Sequence, residues 1–138
     1  MTKVYCDTNV YVDLFQNRKQ RFQDFAEFAL AFFQRVRDEE YVLVISDWVY
    51  TEIKKPHIMG SDNELKELLS SFEEHQKIHV EKTREDVVKA KELSPNNFDD
   101  ALHVILAKKA DAIYLVTRNI KDFEEFRDII EIDLPERL

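Results

Sequence analysis

Five short runs of β-branched and aromatic residues punctuate the sequence: Lys3–Cys6, Tyr41–Ile45, Lys77–Val80, Ile113–Val116 and Ile129–Ile132. The intervals between them carry helical periodicity. The predicted helices cover Asn9–Phe15, Gln20–Arg37, Asp47–Lys54, Asn63–Glu74, Arg84–Leu93, Phe98–Ala110 and Lys121–Phe126. Strands that alternate with helices build layered α/β folds around a mainly parallel sheet. The first, second and fourth runs are apolar almost without a break, as strands covered on both faces must be. In such sheets functional side chains gather beyond the carboxyl ends of the strands. Asp7 follows the first strand directly.

Composition removes several classes. At 138 residues the chain is expected to form one domain, residues 1–138, with a real core. Its single glycine, Gly60, rules out the glycine-rich cradles of dinucleotide and P-loop sites, whose backbones must approach phosphate closely. The single cysteine, Cys6, excludes an internal disulfide and a cysteine-rich zinc motif, and reads as a small buried hydrophobe. No apolar run reaches the ~18 residues of a membrane span, and the amino terminus lacks a secretory pattern. The expectation is a cytoplasmic protein with no membrane partner. A formal net charge of −8 argues against gripping nucleic acid by charge alone. Such a chain reaches phosphate only through metal ions or local basic patches, and Arg18–Arg21 and Lys54–Lys55 are the candidates.

Carboxylates recur where an α/β sheet would collect them. Asp7 fits a helix cap as well as a functional site, although Thr8 and Asn9 would cap equally well. In "SDWVYTEIKK", Ser46 caps the helix and Asp47 suits its positive end. Glu52 projects between Trp48 and Val49, on the apolar side, where a carboxylate is costly unless paired, protonated or bound to a cation. In "SPNNFDDALHVILAKKADAIYLVTRN", Asn97 reads as a cap, with Asp99 and Asp100 in the first turn of a buried helix; periodicity does not choose between the two. Asn119 and Asp122 follow the fourth strand and suit a turn by themselves. Together these segments offer the oxygen ligands that Mg²⁺ or Mn²⁺ prefers, and such ions activate water against a phosphodiester.

The other constellations are weaker. His75 and His79 are spaced as in zinc proteases but lack the intervening glutamate, and His79 falls in a predicted strand, which separates the two. His103, one turn after Asp100, fits either a role orienting that carboxylate or core packing. The phenylalanines of the second helix are core or dimer surface, which the sequence alone does not separate.

Taken in series, "CDTNVYVDLF", "SDWVYTEI", "DALHVILA" and "LVTRNIKDF" resemble the four motifs of the PIN-domain ribonucleases, especially the virulence-associated protein C toxin branch. The resemblance spans nearly the whole chain. It matches Asp7, Glu52 and Asp100 to family carboxylates, selecting Asp100 over Asp99. It implies a PIN-like three-layer α/β/α sandwich with a mainly parallel central sheet of about five strands. It also implies endoribonuclease activity on RNA with Mg²⁺ or Mn²⁺, a homodimer and, for toxin members, a cognate antitoxin. In this reading Asp7 and Asp100 ligate the metal, Glu52 holds water or acts as base, and Asn119 and Asp122 complete the shell. The fourth motif departs from the family, because many members carry Asp where this chain has Asn119. The competing expectation is therefore a non-catalytic PIN-like module that binds RNA or protein. A metal-dependent phosphatase of another α/β fold is a weaker alternative, since the Asp-x-Asp opening is missing.

Overall fold

The computed structural model describes residues 1–17, 19–20, 23–56, 58 and 62–138. Strands β1 (Lys3–Cys6), β4 (Val42–Ser46), β5 (Lys77–Val80), β6 (Tyr114–Val116) and β7 (Glu131–Asp133) form one sheet, and β2 (Lys19–Gln20) and β3 (Gln23–Asp24) pair as a small antiparallel ribbon. The sheet order is β5-β4-β1-β6-β7, and every neighbouring pair runs parallel. The helices are α1 (Thr8–Phe15), α2 (Phe25–Arg37), α3 (Asp47–Ile53), α4 (Asp62–Ser70), α5 (Arg84–Leu93) and α6 (Phe98–Lys109). A 3₁₀ segment follows β6 at Ile120–Phe126. This is the α/β architecture that the alternating pattern predicts.

The chain steps outward from β1 to β4 and β5, then crosses back to β6 on the other side of β1. Right-handed crossovers therefore put the helices before and after the reversal on opposite faces. The contacts agree: α1 packs on α2 and α3, while α6 packs on α5 and the 3₁₀ segment. The reversal leaves a crevice at the carboxyl ends of β1 and β6, the usual ligand position in open α/β sheets.

The second helix starts later than its periodicity predicts. Gln20, Gln23 and Asp24 belong to the ribbon, and α2 begins at Phe25, where the Asp24 carboxylate accepts from the Glu27 amide at 3.1 Å. That capping bond outweighs the continuing apolar spacing. Phe22 and the Arg18 and Arg21 ends of the basic run lie outside the described residues, as does Gly60. Phe32 and Phe33 are buried within the single chain, so this part of the phenylalanine stripe is core. Phe33 stacks on Tyr11 with ring centroids 5.1 Å apart and meets Phe32 edge-on at 5.2 Å. Phe33→Ala is expected to cost about 3–5 kcal/mol in a urea melt; a loss below about 1 kcal/mol would show that this ring does not organise the core.

Helix ends manage without glycine. Glu39 after α2 and Asp111 after α6 take left-handed backbone (φ 64° and 61°), the position glycine usually fills. Asp111 and Ala112 donate to the carbonyls of Lys108 and Ala107 at 3.0 and 2.9 Å, closing α6.

Candidate functional site

The sheet delivers Asp7 to the crevice. Its amide donates to the Val116 carbonyl at 2.9 Å, extending the pairing of β1 with β6 by one residue. Asp7 stands at the N-cap position of α1, yet its side chain makes no capping bond. The carboxylate, only 3% exposed, instead accepts from the Thr117 hydroxyl at 3.0 Å and from the side-chain amide of Asn9 at 3.4 Å. Capping therefore does not account for this charge.

Glu52 comes from α3, which Ser46 caps by accepting from the Val49 amide at 3.3 Å. Glu52 is 8% exposed and points inward, as its helical phase predicts. Its Oε1 accepts from the Thr8 hydroxyl at 2.8 Å and is bonded to Nε2 of His103. His103, fully buried on α6, also lies 3.5 Å from Asp7 Oδ1, and its Nδ1 meets the Tyr5 hydroxyl at 2.7 Å. Tyr5 in turn lies 2.7 Å from Ser46 Oγ. A continuous polar chain thus runs from Ser46 through Tyr5 and His103 to Glu52 and Thr8.

The charges are strongly coupled. Burial alone would raise the Glu52 carboxyl, but the charge and hydrogen bond of His103, with Thr8 and Lys55, outweigh it and hold Glu52 below its ordinary value. Burial disfavours charge on His103 too, but Glu52, Asp7 and Asp100 overcome this and raise the imidazole above its usual value. The opposite shifts favour the carboxylate form of Glu52 and the imidazolium form of His103. Burial pushes Asp7 upward; His103 pulls against the rise, Glu52 adds to it and Thr117 opposes it.

Asp100, in the first turn of α6, is half-buried. Desolvation and then repulsion from Asp7 are the main forces pushing its carboxyl up to about 7; His103 relieves this in part, while Asp122 and Glu52 worsen it. Its neighbour Asp99 is exposed and paired with Lys55 at 3.4 Å. The structure thus separates two residues that periodicity leaves equivalent. Asp122 is exposed and bears on the site through its repulsion of Asp100. Asn119 is half-buried, and its Oδ1 accepts from Arg118 at 3.3 Å. Asn97 does not cap α6 with its side chain; the amide donates to the Asp122 carbonyl at 2.9 Å instead, fixing the loop after β6 against the start of α6.

Asp7, Glu52 and His103 can bring one ligand atom each to within 4.8 Å of one another. With Asp100 alongside, the donor set is dominated by carboxylate oxygens, whose mutual repulsion a hard divalent cation relieves. Sequence reasoning weighed His103 only against Asp100 or plain packing; its bonds go to Glu52 and Tyr5. Of the hydroxyls that hold Glu52 and Asp7, Thr8 read in the sequence only as a possible cap and Thr117 was missed; Thr8 follows Asp7 directly and Thr117 stands two residues before Asn119.

The PIN-domain family profile matches residues 3–121. The chain belongs to the PIN-domain family. Three solved structures share its fold at low identity. VapBC2 from Rickettsia felis, bound to a DNA fragment from its promoter, is 16% identical with a TM-score of 0.63, the match covering 96% of this chain and 98% of that one. VapBC-1 from nontypeable Haemophilus influenzae is 14% identical with a TM-score of 0.61, covering 97% and 98%. FitAB bound to an IR36 DNA fragment is 15% identical with a TM-score of 0.60, covering 98% and 96%. No curated protein matches the chain by sequence. Among the described residues, no helix is long and apolar enough to cross a membrane.

Proposed function

We propose that this PIN-domain protein is a Mg²⁺- or Mn²⁺-dependent endoribonuclease, acting in the cytoplasm as the toxin of a toxin–antitoxin pair. The observation that carries the reading is the crowding of Asp7, Glu52 and Asp100 at the switch point of the sheet, where Asp100 is pushed to about 7. Perturbed carboxyls in a crevice are characteristic of functional sites. Asp7 and Asp100 would hold the ion. When bound, it lowers the pKa of a coordinated water and offsets charge on the phosphate. Glu52, favoured in its ionised form by His103, would orient a water or take its proton through the oxygen not engaged by Thr8. Asn119 and Asp122 complete the polar shell on the side of β6.

The similar folds in the VapBC and FitAB assemblies favour an antitoxin partner. A basic side chain from such a partner would neutralise the same carboxylates that the metal does. Homodimerisation is part of the same proposal. The second reading, a PIN module without catalysis, is favoured by one observation: the fourth position is an amide whose oxygen is taken up by Arg118.

The test is cleavage of single-stranded RNA by the purified protein. Activity is expected with Mn²⁺ or Mg²⁺ and none in EDTA. Asp7→Asn should abolish cleavage without lowering the melting temperature, because neutralising a buried, upward-shifted carboxyl relieves repulsion. Full metal-dependent activity in Asp7→Asn would refute the site; absence of both cleavage and Mn²⁺ binding in the parent would favour the non-catalytic module.

A further inference from the structure

An acidic centre in a chain of net charge −8 repels RNA everywhere except where cations are gathered. One such gathering lies at the lip of the site. The Lys55 ammonium stands 4.8 Å from the Trp48 ring centroid, and the Lys82 ammonium stands 5.6 Å from it. Trp48 is a rigid support. It is 7% exposed, its indole N–H donates to the Asp99 carbonyl at 3.1 Å, and it packs edge-on against Phe98 at 6.0 Å. Its ring centroid is 6.3 Å from that of His103, and Lys55 reaches Glu52 at 4.0 Å, which puts the indole and its lysines beside the acidic cluster. Lys91 extends the group, 5.7 Å from the Phe98 ring.

One lysine would be enough to cover the indole and gain the cation–π attraction. Two ammonium groups on one ring repel each other, and an anion beside both relieves that repulsion. Lys55 is partly neutralised, by Asp99 at 3.4 Å and Glu52 at 4.0 Å. Lys82 is held at its backbone, where its amide donates to Asp47 at 2.9 Å, but its ammonium makes no ion pair among the described residues. It is half-buried, with the face of the Trp48 ring as its neighbour.

We propose that Lys55 and Lys82, seated on Trp48, form a phosphate subsite that holds the RNA strand beside the bond to be cleaved. The inference rests on the nuclease reading for its substrate and names where that substrate is gripped. A polyanion suits the place better than a single acid, because the cations continue along the surface to Lys91.

The test uses Asp7→Asn protein as a non-cleaving background and a short fluorescent single-stranded RNA. Lys55→Met and Lys82→Met are added together, since methionine keeps an apolar stem over the indole. Lys108→Met, at the far end of α6, makes a control for the loss of positive charge. Two lost phosphate contacts should weaken binding on the order of 20-fold at ~0.1 M salt and flatten the slope of log affinity against log salt by about 1.4. Trp48 is the chain's only tryptophan, so its emission should change on RNA addition in the background protein and not in the lysine variant. The control should match the background. Unchanged affinity and salt slope in the lysine variant would overturn the subsite. If the parent protein binds RNA with this lysine dependence but never cleaves, the subsite stands and the nuclease reading falls. If neither background nor parent binds RNA, both fall.

Discussion

Asp100→Asn is expected to make the metal-free protein more stable while eliminating the metal-dependent cleavage proposed for it. Asp100 titrates near 7 because desolvation and Asp7 oppose its charge. A carboxyl raised in the folded state favours folding fully only below its unfolded value, near 4. Its contribution is lost as pH rises from there through about 7, because the unfolded chain then gives up its proton first. Above pH 7 the wild type carries the full penalty. The shift corresponds to a few kcal/mol; with the group partly open to water, relief of about 2 kcal/mol is expected, or roughly 6 °C in melting temperature for a chain this size. Melting curves of both proteins in EDTA from pH 4 to 8 should converge at the acid end and separate toward neutrality. Mn²⁺ should raise the melting temperature of the wild type and not of the variant. A variant that melts below wild type at pH 7.5 would show that Asp100 is held by favourable contacts and not by crowding.

Replacing His103 should do the opposite. His103→Leu takes the counter-charge from the buried Glu52 carboxylate and leaves the Tyr5 hydroxyl with Ser46 as its remaining partner, and breaking a buried pair from one side typically costs about 3–5 kcal/mol. The pair has a defined pH window. Glu52 is lowered, so its stabilisation is present above its unfolded value and fades as pH falls through the folded one. His103 is raised, so its stabilisation is complete below about 6.5 and fades as pH rises through the folded value. Urea melts near pH 6 therefore read the full effect. Adding Glu52→Gln to His103→Leu should recover part of the loss, since the stranded charge is gone. A single-variant loss below about 1 kcal/mol, or no recovery in the double variant, would refute the ion pair.

How far the sequence alone reaches depends on the range of the interactions involved. Lys3–Cys6 and Lys77–Val80 were legible to the residue because β-branched runs end there against polar neighbours. The inward phase of Glu52 followed from helical geometry alone. The start of α2 did not, because Phe22 and Phe25 keep helical spacing while Asp24 supplies the cap that decides the boundary. Asn97 looked like a cap until the structure offered it the Asp122 carbonyl, 25 residues away. The site's internal wiring was the least legible part. Tyr5 and His103 are 98 residues apart, and Thr117 and Asp7 are 110 apart; no local pattern announces such pairs. Asp99 and Asp100 differ in the same way, by which of them a distant strand end confronts.

The sheet order also governs when the site can exist. β1 precedes the other four strands of the sheet in sequence, yet it lies in the middle, with Val4 opposite Leu43 on one side and Tyr114 on the other. Its second edge stays open until β6 has been made, and Asp7 meets Thr117 only then. Closing so long a loop is slow, since its entropy must be lost before its contacts form. The segment from β1 to α6 therefore carries no assembled centre until β6 joins it. The polar centre is completed in one step, by the return of a single short strand.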